Sequence, residues 1–157
     1  MITATLAVGI QDNVSISKSK YIVCPKYINE QIRFDIFCLL QISKPPEEFN
    51  YEADIKYLYY KENKLVGIIA YNIGNSDGQK IPVFIHVIGH PDFSHTREGY
   101  NFLYDTFRDL KKSYNIVVTH IPDDRTRMIR FALKAGFKEY SREEGSKYYY
   151  LDLEKIK

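Results

Sequence analysis

At 157 residues and 45% apolar content, the chain is long enough for one core and predicts one domain. A formal charge of +2 is too mild to argue for nucleic acid, and no apolar run approaches the roughly 20 residues of a membrane-spanning helix. The start of the chain, Met1-Ile2-Thr3-Ala4, has no basic region before its apolar run, so no signal peptide is read and a cytoplasmic protein is expected. The first 25 residues predict an edge segment, with short strands at Thr5–Gly9 and Val14–Ser17 and extended chain at Tyr21–Cys24 before Pro25. Cys24 and Cys38 sit in apolar surroundings and are expected as buried, reduced thiols. From Lys26 to Ile42 the period turns helical, with Ile28, Ile32, Ile36, Leu39 and Leu40 on one stripe, until Pro45-Pro46 ends it. Glu47–Glu52 reads as a polar connection.

Asp54–Tyr60 and Leu65–Asn72 form a hairpin pattern around Lys61-Glu62-Asn63-Lys64, and Gly67 within it marks a bulge or a close backbone approach. Gly74–Gly78 is a loop by composition. An apolar strand over Pro82–Ile88 follows, then a polar loop carrying His90-Pro91-Asp92-Phe93. The next helix opens at Thr96-Arg97-Glu98-Gly99, with Thr96 as N-cap and a stripe of Tyr100, Leu103, Tyr104, Phe107 and Leu110. Ile116–Ile121 is nearly all apolar, as expected of a strand covered on both faces. Strand, loop, helix, strand makes a βαβ unit. Asp123 or Asp124 caps a last helix with Met128, Phe131, Ala132 and Ala135 inward and Gly136 as its left-handed end. The tail pairs Phe137–Arg142 with Lys147–Leu153, which puts Tyr149, Leu151 and Leu153 on one face and Tyr148, Tyr150 and Asp152 on the other.

The loop-to-helix junction is the place for chemistry. Amides at a helix N-terminus point outward unsatisfied and form an anion site, and a glycine lets a phosphate approach the backbone. The histidines, His86, His90, His95 and His120, have no metal-ligand spacing, so no metal is expected. Arg127, Arg130 and Lys134 form a basic stripe on the last helix, read as a solvated face.

The element order resembles the GNAT superfamily of N-acetyltransferases over most of the chain, from about Lys26 on. Pro91-Asp92-Phe93 leading to Thr96-Arg97-Glu98-Gly99-Tyr100-Asn101 resembles its pyrophosphate loop, and the helix from Arg125 to Gly136-Phe137 resembles the one before its last hairpin. Departures are Thr96 where the loop pattern has Arg or Gln, Asn101 where it has Gly or Ala, and Ala132 where a general-acid Tyr often stands. The resemblance implies a mixed, mostly antiparallel sheet with flanking helices, the GNAT-like acyl-CoA N-acyltransferase fold. It implies acetyl-CoA as co-substrate, with its pyrophosphate at Ser94, His95, Thr96, Arg97, Glu98, Gly99 and Tyr100 and its pantetheine arm along Val87, Ile88 and Gly89. The reaction implied is acetyl transfer to a primary amine on a small molecule or a protein. His86 stands where the family often places a base and is either that base or a core hydrogen-bonding residue. His120 and Tyr148 are the further candidates for moving protons. Two alternatives stay open: a catalytically degenerate CoA-binding or partner-binding protein, and an RNA-associated acetylating toxin. A homodimer is also left open.

Overall fold

The computed structural model describes residues 20–157, so the strands expected at Thr5–Gly9 and Val14–Ser17 lie outside the described residues. In chain order the elements are β1 (Lys20–Pro25), α1 (Glu30–Ser43), β2 (Ile55–Lys61), β3 (Lys64–Ser76), β4 (Gln79–Gly89), α2 (Arg97–Lys111), β5 (Ile116–Pro122), α3 (Thr126–Ala135), β6 (Lys138–Glu143) and β7 (Ser146–Asp152), followed by a 3₁₀ turn at Leu153–Lys155. The strands lie in one sheet in the order β1-β2-β3-β4-β5-β7-β6. β1–β2, β2–β3, β5–β7 and β6–β7 pair antiparallel, whereas β4 and β5 run parallel. A parallel pair needs a crossover, and α2 supplies it. The parallel register covers Val83↔Val118 and Phe84↔Thr119.

Local chemistry sets the element ends. The Asn29 side chain accepts the Ile32 amide at 2.8 Å and opens α1. With Asn29 as the N-cap, Ile28 falls before the helix; Lys44, left-handed and followed by the prolines, ends it. Glu62-Asn63 (φ 51 and 66) and Asp77-Gly78 (φ 52 and 81) are two-residue hairpin turns with both residues at positive φ. The loop expected over Gly74–Gly78 is therefore mostly strand: only Asp77-Gly78 turns, because a tight turn of this type lets β3 run on to Ser76.

Tertiary contacts of the described residues group into two units, one formed by residues 20–71 with His86–Tyr104, the other by Asn72–Ile85 with Asp105–Lys157. The first unit buries Ile32, Ile36 and Leu39 of α1 and Leu58, Ile68 and Ile69 of β2 and β3. Its aromatic cluster joins Tyr59 to Phe93 and Phe102, with ring centroids 5.2 Å apart in each pair. The second unit centres on Phe84, Phe107 and Phe137, whose centroids lie 6.0–6.4 Å apart, and on Val117, Tyr149, Leu151 and Leu153.

Several expectations change on packing. The buried stripe of α2 is Phe102, Leu103, Thr106, Phe107 and Leu110, whereas Tyr100 and Tyr104 are half-buried at its edge. Gly99 lies on the line of the buried residues, because it must pass the loop backbone at Phe93 and Ser94. β5 buries Val117 and Ile121, while Ile116 and Val118 are half-buried. Its apolar run therefore reflects one fully covered face, not two. Cys24 is buried but Cys38 is exposed, since Cys38 falls between the buried positions Ile36 and Leu39. Burial pushes the Cys24 thiol up to about 11. Neither Asp123 nor Asp124 caps α3. Arg125 occupies the N-cap without a side-chain bond. The Pro122–Arg125 turn instead directs the Asp123 carboxylate to Arg142 at 3.3 Å.

Candidate functional site

In the first unit, β4 delivers the chain to a compact turn. The His90 amide donates to Val66 O at 2.8 Å and extends the strand pairing beyond Gly89. Opposite, Tyr59 pairs with Gly67 and Tyr60 with Leu65, so Val66 is the extra residue of a bulge. Gly67 also makes a close approach: a Cβ there would stand 3.0 Å from the Phe93 ring and 3.1 Å from Phe102. Both readings of this glycine therefore hold. The Phe93 and Ser94 amides donate to His90 O, and the Thr96 amide to Phe93 O. The Thr96 hydroxyl donates to Phe93 O at 2.7 Å and accepts the Gly99 amide at 3.2 Å, so Thr96 is the N-cap of α2.

These bonds sort the amides expected to meet an anion. Ser94, Thr96, Gly99 and Tyr100 donate within the chain. Among the described residues the amides of His95 and Arg97 have no such partner. Arg97 is the first residue of α2, so its amide is one that helix geometry orphans. Glu98 complements the helix dipole from the first turn and is neutralised by Lys61 at 2.6 Å. The Arg97 guanidinium adds a positive charge to this helix start. Gly99 has a different reason from the one expected: a Cβ there would run into Phe93 O, with Ser94 O at 3.0 Å. The glycine lets the chain's own loop, not a ligand, lie against the helix. Gly89 is likewise closed by the Ser94 side chain, whose hydroxyl donates to His90 O at 3.0 Å.

His86 lies on the buried side of β4, in alternation with Phe84 and Ile88, and is 8% exposed. Its Nε2 accepts the Asn50 amide at 3.0 Å, and its ring stacks on Phe49 at 4.6 Å. Asn50 turns the connection between α1 and β2 by accepting the Glu52 amide on its side chain. Burial holds the His86 imidazole below its ordinary value; Glu47 opposes this and Lys56 adds to it. Lys56 is fully buried opposite Cys24 and donates to Ala53 O at 3.0 Å, with its own pKa lowered by burial. Asn50 and Phe49 escape sequence reasoning. Their one signal is the pair of aromatic residues, Phe49 and Tyr51, inside a connection that is otherwise polar.

In the second unit, β5 and β7 bring His120 and Tyr148 together as register partners, with rings stacked at 4.2 Å. His120 Nε2 lies 2.6 Å from Ser146 Oγ and 3.5 Å from Glu143 Oε1. The Tyr148 hydroxyl donates to Glu143 Oε2 at 3.0 Å, which raises the phenol's pKa and keeps its proton in place at neutral pH. A bulge at Tyr140 turns its ring toward Tyr148 and Tyr150, at 6.0 and 5.8 Å. Glu143 and Ser146 flank the turn that sequence locates, but their reach to His120 depends on the β5–β7 register. Ala132 is buried, 5% exposed, and brings no hydroxyl to α3. Arg127, Arg130 and Lys134 are exposed, as read.

These elements, with the turn between β4 and α2, make up the fold of GNAT acyl-CoA N-acyltransferases. Solved structures of that family superpose on this chain. An acetyltransferase of the GNAT family from Staphylococcus aureus Mu50 matches with TM-score 0.63 at 12% identity, covering 85% of this chain and 99% of that one. Arabidopsis thaliana Naa50, in complex with the bisubstrate analogue CoA-Ac-MVNAL, matches with TM-score 0.61 at 15% identity over 83% and 96%. The ribosomal-protein-S18-alanine N-acetyltransferase from Escherichia coli matches with TM-score 0.63 at 10% identity over 85% and 94%. No family model and no curated protein matches the sequence. Among the described residues no helix is long and apolar enough to cross a membrane.

Proposed function

We propose that this protein transfers the acetyl group of acetyl-CoA to a primary amine. The observation that carries the reading is the β4–α2 junction on a GNAT fold, where the His95 and Arg97 amides are left without partners beside a guanidinium. That donor set fits a diphosphate: outward amides, a helix dipole and a fixed positive charge. Acetyl-CoA supplies an activated thioester carbonyl. The amides of His95 and Arg97 hold its pyrophosphate end, and Val87–Gly89 run beside the pantetheine arm. In the reaction the amine nitrogen bonds to the acyl carbon as the carbon–sulfur bond breaks. The acceptor nitrogen sheds a proton and the departing sulfur takes one up.

Arg97→Glu tests the placement. An acid at the first helical position suits the helix dipole, so the variant should stay folded, but it repels a diphosphate. Calorimetry should show acetyl-CoA affinity falling by about ten-fold or more, as expected when a charge-assisted contact is replaced by repulsion; unchanged affinity in the folded variant sinks the placement. A thiol-release assay against a panel of amines tests the chemistry. The second reading, a CoA-binding protein without turnover, is favoured by Ala132, which offers no hydroxyl. It predicts acetyl-CoA binding with no thiol released by any amine.

A further inference from the structure

His86 has a chemistry fixed by its partner. A backbone amide can only donate, so the Asn50 amide at 3.0 Å requires Nε2 to be the ring's acceptor. The neutral ring must then carry its proton on Nδ1. The Nε2 lone pair, the one a base would use, is already occupied. Nδ1 has no hydrogen-bond partner among the described residues. It is not sealed in either: Asp123 Oδ1 is the buried side-chain polar atom left without a partner among the described residues, and His86 retains 8% exposure. The ring is also held rigidly, stacked on Phe49 at 4.6 Å. Charged groups acting on it are Glu47, on the connection over the ring, and Lys56, on β2. Burial is the larger influence and favours the neutral form.

We propose that His86 serves as a fixed hydrogen-bond donor, its Nδ1–H directed to a carbonyl oxygen of the bound acyl-CoA, and not as the base that deprotonates the acceptor. This rests on the acyl-CoA reading above and deepens it. A neutral imidazole N–H is suited to polarising a carbonyl because it donates without bringing a charge that must be desolvated. The geometry also divides the labour: β4 supplies a donor to the acyl-CoA, and deprotonation of the amine falls to another group or to water.

Ring ¹⁵N NMR on the full chain labelled at histidine reads the tautomer directly. The expected spectrum has His86 protonated at Nδ1 and bare at Nε2. Coenzyme A and acetyl-CoA are then added in separate arms. A shift of the Nδ1–H with both assigns the contact to a pantetheine carbonyl, and a shift with acetyl-CoA alone assigns it to the thioester. A ring protonated at Nε2, or acetyl-CoA binding that leaves Nδ1–H unmoved, overturns the proposal. Two variants give a functional arm. The Asn side chain places an amide at the position of Nδ1, whereas Gln places its amide at the position of Nε2. His86→Gln keeps an acceptor for the Asn50 amide and loses the donor. It should lower kcat/KM by about a hundred-fold if the thioester is the target, the scale seen for single oxyanion donors, or weaken coenzyme A binding if the target is pantetheine. His86→Asn should retain the larger part of the function. Equal losses in both variants, together with disappearance of the acid limb of the pH–rate profile, would establish a base instead. If the wild-type chain binds no acetyl-CoA in calorimetry, the acyl-CoA reading itself fails, an outcome distinct from binding without a response at His86.

Discussion

A methyl group at position 99 would run into Phe93 O and the Ser94 backbone, and backbone cannot step aside as a flexible side chain can. Gly99→Ala should therefore destabilise the protein by about 1–3 kcal/mol, the usual cost of overpacking, read as a lower urea midpoint. Any loss of ligand affinity in that variant reflects the turn and not a steric block on phosphate. His86 makes a second prediction, through pH. Its folded-state value lies below the ordinary 6.5, so the unfolded chain takes up the proton first as pH falls. The contribution of His86 to stability is complete above that ordinary value. It declines as pH drops toward the lower folded value, where the slope ends. Urea titrations across this range should show the decline in the wild type and its loss in His86→Gln; an unchanged slope in the variant would place the titration elsewhere. Sequence identified this histidine and the face of β4 it occupies. The tautomer depended on Asn50, 36 residues away in sequence, which no local pattern connects to it.

At the scale of elements, the α2 start depends on one hydroxyl that both donates and accepts. Thr96→Val keeps the shape and removes both bonds, with an expected loss of about 1 kcal/mol, typical of an N-cap. Because the same hydroxyl ties the loop to the helix, acetyl-CoA affinity should fall along with stability. At the other helix end, Gly136 has φ 110, and its amide and that of Phe137 close α3 on Leu133 O and Ala132 O. Gly136→Ala forces a Cβ into the left-handed region and should cost about 1–2 kcal/mol in denaturation experiments. These caps were legible because they depend on residues three or four positions apart. The missing cap of α3 was not. Asp123 and Asp124 have the right chemistry, but the Pro122–Arg125 turn and the pull of Arg142 settle where Asp123 points.

For the whole molecule, a ligand that binds only the folded state raises its stability by mass action. Acetyl-CoA at a hundred times its Kd should contribute about 2.7 kcal/mol and raise Tm by about 5–10 °C for a chain of this size. A thermal scan with no shift at saturating ligand would contradict the proposed function before any acceptor is known. Sequence by itself determined the order of elements, the β2–β3 hairpin turn, the Thr96 and Gly136 caps and the alternation along β4 and β7. Each of these follows from backbone stereochemistry or from a period of two or 3.6 residues, and so from neighbours in the chain. Tertiary structure alone decided which face of α2 is buried, why position 99 must be glycine, which nitrogen of His86 carries the proton, and that His120 meets Ser146, Glu143 and Tyr148. Those properties belong to pairs of atoms brought together across strands and loops, where hydrogen-bond direction and close contact, not residue type, determine the outcome.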